Sequence, residues 1–164
     1  MYLSKNKFAS LVKISPIVAI DLCIVGSKGI LLGKRNNPPA KKYYFVPGGR
    51  VRKNEDLNTA LERIFKDETG SDLKDFNCKK KFLGVYEHFY NDNFLDNQNF
   101  NTHYIVLTYL IKLTKEELQK KISINKQHSD LIWYKSNSCF NVENIHINTI
   151  NYFSHENLKT FLNK

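Results

Sequence analysis

Between Gly49 and Gly70 the chain runs from a glycine-rich turn into a helix that carries an acid on its apolar face. Pro47-Gly48-Gly49 reads as a sharp backbone turn after a short strand over 43–46. The helix is expected from about Asp56 to Thr69, with Gly70 as its C-terminal stop. Leu57, Leu61, Ile64 and Glu68 then fall on one stripe. A carboxylate in a core-facing stripe needs a partner, because burying it alone is costly. Either Arg63 or a lysine supplies a salt bridge, or a cation is bound. The glycine loop entering the helix favours the cation, since backbone carbonyls there can join a carboxylate around Mg²⁺.

The surrounding pattern is that of mixed strands with a few helices. Ser4 caps a first helix to about Ile14, with Phe8, Leu11 and Val12 as its apolar face. Strands over 17–25 and 30–34 flank the turn Gly26-Ser27-Lys28-Gly29 and form a hairpin. Two more strands, over 82–90 and 103–113, are joined by the Asn/Asp-rich loop 91–101. Thr114 with Glu117 forms a capping box, 131–135 is a strand, and helices close the chain from Ile145. A length of 164 residues suits a single domain over 1–164, an α/β (α+β) sandwich around a central mixed sheet.

Composition narrows the function classes. The apolar runs are too short to span a bilayer, and no apolar segment follows the N-terminal lysines as in a signal peptide. Cys23, Cys78 and Cys139 are too few and too scattered for a disulfide framework or a zinc site, which fits a reducing cytoplasm. The net charge of +9 raises a nucleic-acid partner. However, lysines spread along the whole chain are the signature of a solvated surface, with no ordered aromatic-basic platform. The four arginines, Arg35, Arg50, Arg52 and Arg63, instead cluster around the glycine turn and its helix. Only arginine offers a planar fork for phosphate or carboxylate.

Gly49, Glu55, Arg63, Glu68 and Gly70 together resemble the box of the Nudix hydrolase family, whose fold is an α/β/α sandwich. Ile64 stands where that box has a glutamate, Asp67 shortens another, and Ser71 replaces the final apolar residue. The box of the GDP-mannose mannosyl hydrolase branch lacks those same glutamates. Nearly the whole chain resembles that branch, on Gly33-Lys34-Arg35, on 45–51, on 88–94, on Thr102-His103-Tyr104 and on Gln127-His128.

The resemblance implies hydrolysis of a GDP-hexose at the sugar carbon, with inversion, by a cytoplasmic homodimer. It implies that Glu68, the Gly48 carbonyl and Gln127 hold one Mg²⁺, with Mn²⁺ as a substitute. His128 would be the general base and Arg35 would face the diphosphate. Asp21, Arg50, His88 and Tyr104 match positions near the substrate. Arg52 has no counterpart and reads as a surface residue. Pro38 stands where the branch often has a basic residue, so that contact is either absent or replaced by Lys41 or Lys42. His103, His146 and His155 read as structural or surface residues, and 91–101 either as a mobile polar connection or, lying between the strands that bear His88 and Tyr104, as a substrate lid anchored by Phe94 and Phe100.

The chemistry is coherent with that reading. A nucleoside diphosphate is already a good leaving group, so a cation and Arg35 can absorb its charge without a strong general acid. A base for water is then the main requirement, and a histidine suits it. Two other readings stay open: an ordinary Nudix pyrophosphatase cleaving at phosphorus, and a non-catalytic module that binds nucleotide sugars.

Overall fold

The computed structural model describes residues 3–95, 99–114, 116–117, 128–136 and 142–162, with the backbone alone for His128. The described elements are α1 (Lys5–Ile14), β1 (Ile17–Gly26), β2 (Gly29–Arg35), β3 (Tyr44–Phe45), β4 (Gly48–Arg50), α2 (Leu57–Thr69), β5 (Lys79–Tyr90), β6 (Thr102–Lys112), β7 (His128–Tyr134), α3 (Ile147–Phe153) and α4 (Glu156–Leu162). The strands form one seven-stranded mixed sheet in the order β3-β2-β1-β6-β5, with β4 added to β1 and β7 to β2. β1 and β6 are parallel, while the β1–β2, β2–β7 and β5–β6 pairs are antiparallel.

Alternation along β1 builds both faces of the sheet. Ile20, Leu22 and Ile24 pack under α2 with Leu61, Ile64 and Phe65. Cys23 and Val25 face the other way, toward Tyr152, Leu158 and Leu162 of α3 and α4. Helices therefore cover both faces, the expected sandwich.

The central event for function is a change of partner along β1. It pairs with β2 only beside the turn, at Val25–Ile30 and Gly26–Gly29. Farther along, Ala19, Ile20 and Asp21 pair instead with Arg50, Gly49 and Gly48 of β4. The backbone bonds Leu22 N to Pro47 O (2.8 Å) and Val51 N to Val18 O (2.9 Å) extend this pairing. β2 meanwhile departs with β3 and β7. The sheet is parted there, and a cleft opens between the halves.

Three readings of the sequence are corrected. Gly48 and Gly49 are not in a sharp turn but in strand β4, and neither has positive φ. Their glycines answer to space, since a β-carbon on Gly48 would run into the Asp21 carboxylate. Leu57 is 43% exposed and lies outside the core, because the first turn of α2 overhangs the sheet. β5 begins at Lys79, earlier than the apolar pattern indicates, because Lys79, Lys80 and Lys81 pair with Lys112, Ile111 and Leu110 at an exposed edge.

Local signals otherwise act as expected. Asp56 caps α2 by accepting from Asn58 N and Thr59 N, both at 3.0 Å. Gly70 ends it at φ 72°, where a side chain would be strained. Ser4 caps α1 by accepting from Lys7 N at 3.4 Å. Thr114 and Glu117 make the reciprocal capping bonds at 3.4 Å each. The body of the helix they would start lies outside the described residues.

Candidate active site

A cleft of about 510 Å³ occupies the parting of the sheet. Of the residues marked in the sequence, Asp21, Arg35, Gly48, Arg50, His88 and Tyr104 all line it. They come from β1, β2, β4, β5 and β6, which only the folded topology brings together. Phe45 floors part of it, with the Arg35 guanidinium 5.8 Å from its ring centroid. Lys5 and Phe8 of α1 also reach the cleft. The Arg50 guanidinium lies 4.1 Å over the Phe8 ring, and Phe94 packs on Phe8 at 4.7 Å between centroids. Lys41 and Lys42 are exposed and do not line the cleft, whereas Lys5 does.

Asp21 is the most perturbed acid of the site. Burial pushes its carboxyl up to about 7, against the opposing pull of a Tyr152 hydrogen bond and of Arg35, and the nearby Glu68 pushes it up further. The Tyr152 hydroxyl lies 2.7 Å from Asp21 Oδ2 and 3.0 Å from His88 Nε2. Burial, with His146 close by, drives His88 down to about 4, so the ring is neutral at pH 7.

His146, read from sequence as structural or surface, is structural and packs against residues that line the cleft. Its ring packs 5.2 Å from Phe45 and 5.4 Å from Tyr90. Burial and Arg35 bring it down to about 4. Its backbone N–H donates to the Tyr44 carbonyl at 3.1 Å, a contact across the chain that no local signal announces. Tyr152 was likewise not singled out, since its partner Asp21 lies 131 residues away.

The helix α2 supplies the acid expected on its buried face. Glu68 is 3% exposed. Arg63 is not its salt-bridge partner: it forks onto Glu55 at 2.6 and 2.8 Å. The same guanidinium donates to Asp67 at 3.1 Å and to the Arg50 carbonyl at 3.0 Å. This clamp ties the segment after β4 to the helix and holds the Glu55 carboxyl down at about 2. Arg52, expected at the surface, joins the cluster 3.7 Å from Asp67. Ile64 is 1% exposed and packed in the core. Its Cγ1 lies 3.2 Å from where a Gly49 β-carbon would stand.

The donor set around Gly48 fits a hard cation. Buried Glu68 and Asp21 are near enough for their charges to couple, and Gly48 lies against Asp21 with no room for a side chain. Oxygen donors concentrated at a narrow backbone approach suit Mg²⁺. Among the described residues no three His, Cys, Asp or Glu side chains gather as a ready metal cluster. A cation there would therefore draw further ligands from water and phosphate, as Mg²⁺ commonly does. Gln127 lies outside the described residues. His128 is placed by its backbone alone, paired with Arg35 at the end of β2.

The loop 91–101 is anchored on both sides. Asn93 is fully buried, donates to Phe100 O at 2.7 Å and accepts from Leu95 N at 2.9 Å. Phe94 lines the cleft mouth, while Phe100 sits under Lys13.

This split mixed sheet with an acid-bearing helix beside the cleft is the architecture of a nucleotide-hydrolase family. The NUDIX domain profile matches residues 15–152, and the chain belongs to the Nudix hydrolase family. Among its relatives is the low-salt glycan biosynthesis protein Agl8 of Haloferax volcanii, 35% identical over 126 residues that cover 77% of this chain and 75% of that one. An ADP-ribose pyrophosphatase of Methanocaldococcus jannaschii is 42% identical over 71 residues, covering 43% of this chain and 40% of that protein. A MutT NUDIX hydrolase from Burkholderia pseudomallei has the same fold, with a TM-score of 0.66 at 20% identity over 87% of this chain and 98% of the other. Family membership supports hydrolysis of nucleotide derivatives, a chemistry for which Nudix hydrolases generally use divalent metal ions. Among the described residues no helix is long and apolar enough to cross a membrane.

Proposed function

We propose that this Nudix hydrolase is a Mg²⁺-dependent hydrolase of a GDP-hexose, releasing GDP and the free sugar with inversion. The observation that carries the reading is Ile64. A box residue that would hold metal at an attacked phosphorus is here a buried alkyl group against Gly49. Attack at the sugar carbon has no need of that second acid. Similarity to a glycan biosynthesis protein supports a sugar-bearing substrate.

Glu68, the Gly48 carbonyl and Gln127 would hold Mg²⁺, whose charge stabilises the departing diphosphate. Arg35 adds a fixed positive charge in the cleft, and Asp21, His88, Arg50 and Tyr104 bound the space for sugar and phosphate. His128 takes the proton of water as the water oxygen bonds to the anomeric carbon. The bond from that carbon to the diphosphate oxygen breaks, and its electron pair leaves with GDP. The chain functions as a homodimer in the cytoplasm on this reading.

A second reading has its own support. Similarity to an ADP-ribose pyrophosphatase favours cleavage at phosphorus, giving GMP and a sugar phosphate. Incubation with GDP-mannose and Mg²⁺ in ¹⁸O-water separates them. GDP with labelled mannose supports attack at carbon, and loss of that activity in His128→Ala supports the base. GMP with mannose phosphate overturns the proposal in favour of the second reading.

A further inference from the structure

β7 begins His128-Ser129-Asp130, and its apolar side chains start at Leu131. From there to Tyr134 they join the two hydrophobic cores, whereas Ser129 and Asp130 are exposed. The ladder to β2 also changes register at this end. Lys34 pairs with Asp130 but Arg35 pairs with His128, so Ser129 is an extra residue with no rung of its own. The cores hold β7 from Leu131 onward and leave the register of its first residues to other contacts. A slip by one residue there would turn each side chain to the other face.

A bond across three strands supplies such a contact. Lys34 of β2 has Tyr44 of β3 on one side and Asp130 on the other, and residues directly opposite share a face of the sheet. The Tyr44 hydroxyl reaches over β2 and donates to Asp130 Oδ2 at 2.7 Å, with the Lys34 ammonium 5.8 Å from its ring centroid. Tyr44 is the fixed end of this bond. It is buried, its carbonyl accepts from His146 N at 3.1 Å, and Arg35 N donates to the adjoining Tyr43 carbonyl at 3.0 Å. Burial and Asp130 push its phenol up to about 12, so it keeps the proton it donates. The bond falls on the last rung before the bulge, where it selects Asp130 as the partner of Lys34. Neither Tyr44 nor Asp130 lines the cleft.

We propose that Tyr44 and Asp130 are positioning residues whose bond holds β7 in the register that sets His128 beside Arg35. Their bearing on catalysis rests on the GDP-hexose reading, in which His128 takes the proton of water and Arg35 faces the diphosphate. The hold on β7 does not depend on that reading.

Amide hydrogen exchange of the ligand-free protein, read residue by residue by NMR, measures that hold. Tyr44→Phe keeps the ring and removes the donor. It is expected to speed exchange about tenfold at 129–131 and to leave 132–134 unchanged. Asp130→Ala should do the same, and Asp130→Asn, which keeps an acceptor oxygen, should restore most of the protection. In turnover of GDP-mannose Tyr44→Phe is expected to lower kcat about tenfold with KM little changed, because no cleft contact is lost. Unchanged exchange at 129–131 in a folded Tyr44→Phe protein overturns the proposal. So does faster exchange spread evenly over β7, which would make the tyrosine a packing residue only. Faster exchange at 129–131 with an unchanged kcat overturns the link to catalysis. If wild type turns over no GDP-hexose, the substrate reading fails while the exchange result still decides the role of Tyr44.

Discussion

Ile64 stands directly against Gly49: the isoleucine Cγ1 lies 3.2 Å from the point a glycine β-carbon would fill. A family position that elsewhere bears an acid has become part of the core. The neighbouring strand feels that substitution, since a β-carbon on Gly49 would press on Ile64 and require it to shift by a few tenths of an ångström.

Ile64→Glu would return an acid to this position. It places a carboxylate where the native residue is 1% exposed, at a cost of about 3 kcal/mol or more in the absence of metal. The expected result is a lower melting temperature that Mg²⁺ raises more than it does in wild type. An equal Mg²⁺ response in both proteins would mean that position 64 does not face the cation.

Glu68→Gln keeps the size of the side chain but removes its charge. If Glu68 holds Mg²⁺, activity falls by about 10² or more and the Mg²⁺ concentration for half-activity rises. Titration of activity against Mg²⁺ at saturating substrate measures both. A protein that melts normally and retains full activity would remove Glu68 from the metal site.

Arg63→Ala removes the two bonds to Glu55 together with those to Asp67 and the Arg50 carbonyl. Charge-assisted bonds in a half-buried cluster contribute roughly 1.5–3 kcal/mol when lost. Urea unfolding should show a loss of that size, and Arg63→Lys should restore only part of it, because an ammonium cannot fork onto a carboxylate. Glu55 is held at about 2, below its usual value. Its contribution is thus full above about pH 4.5 and disappears as pH falls through 2.

The pH dependence of stability without metal has a sign that the site fixes. His88 and His146 sit at about 4 in the fold, while in the unfolded chain they bind protons up to about 6.5. Asp21 does the reverse, holding its proton to about 7 in the fold and releasing it near 4 when unfolded. Between these limits unfolding takes up two protons and releases one, so stability rises with pH from about 4.5 to 6. Near pH 7 the remaining histidine gain and the ionisation of Asp21 almost cancel, so the curve levels off there. Urea unfolding at half-unit steps of pH should show a rise that flattens near pH 7, and Asp21→Asn should about double the slope between 4.5 and 6, because the one proton released on unfolding is then gone. An unchanged slope in Asp21→Asn would contradict the burial of Asp21.

How much of this was legible in the sequence depended on where each signal lay. Caps, the β1–β2 turn and the ends of α2 are written in adjacent residues, and Asp56, Gly70 and Ser4 act where local chemistry puts them. The cleft residues Asp21, Arg35, His88 and Tyr104 were marked by resemblance, and nothing local marks them as neighbours. β4 was hidden because glycine-rich segments carry no strand pattern, its extended form being imposed by pairing with β1. Tyr152 and His146 were hidden for a different reason. Each looks ordinary beside its sequence neighbours, and each gains meaning only from a partner on a distant strand.

The parting of the sheet has a mechanical consequence. Arg35 belongs to one half and Asp21 and Gly48 to the other, and the strands that carry them are laddered together only at Val25–Ile30 and Gly26–Gly29. On the proposed reading, a diphosphate reaching from Arg35 to the Gly48 side would brace an open seam. Occupancy would then be felt as stiffness far from the ligand, with amide exchange slowing in β2 and β4 together and the seam relaxing when product departs.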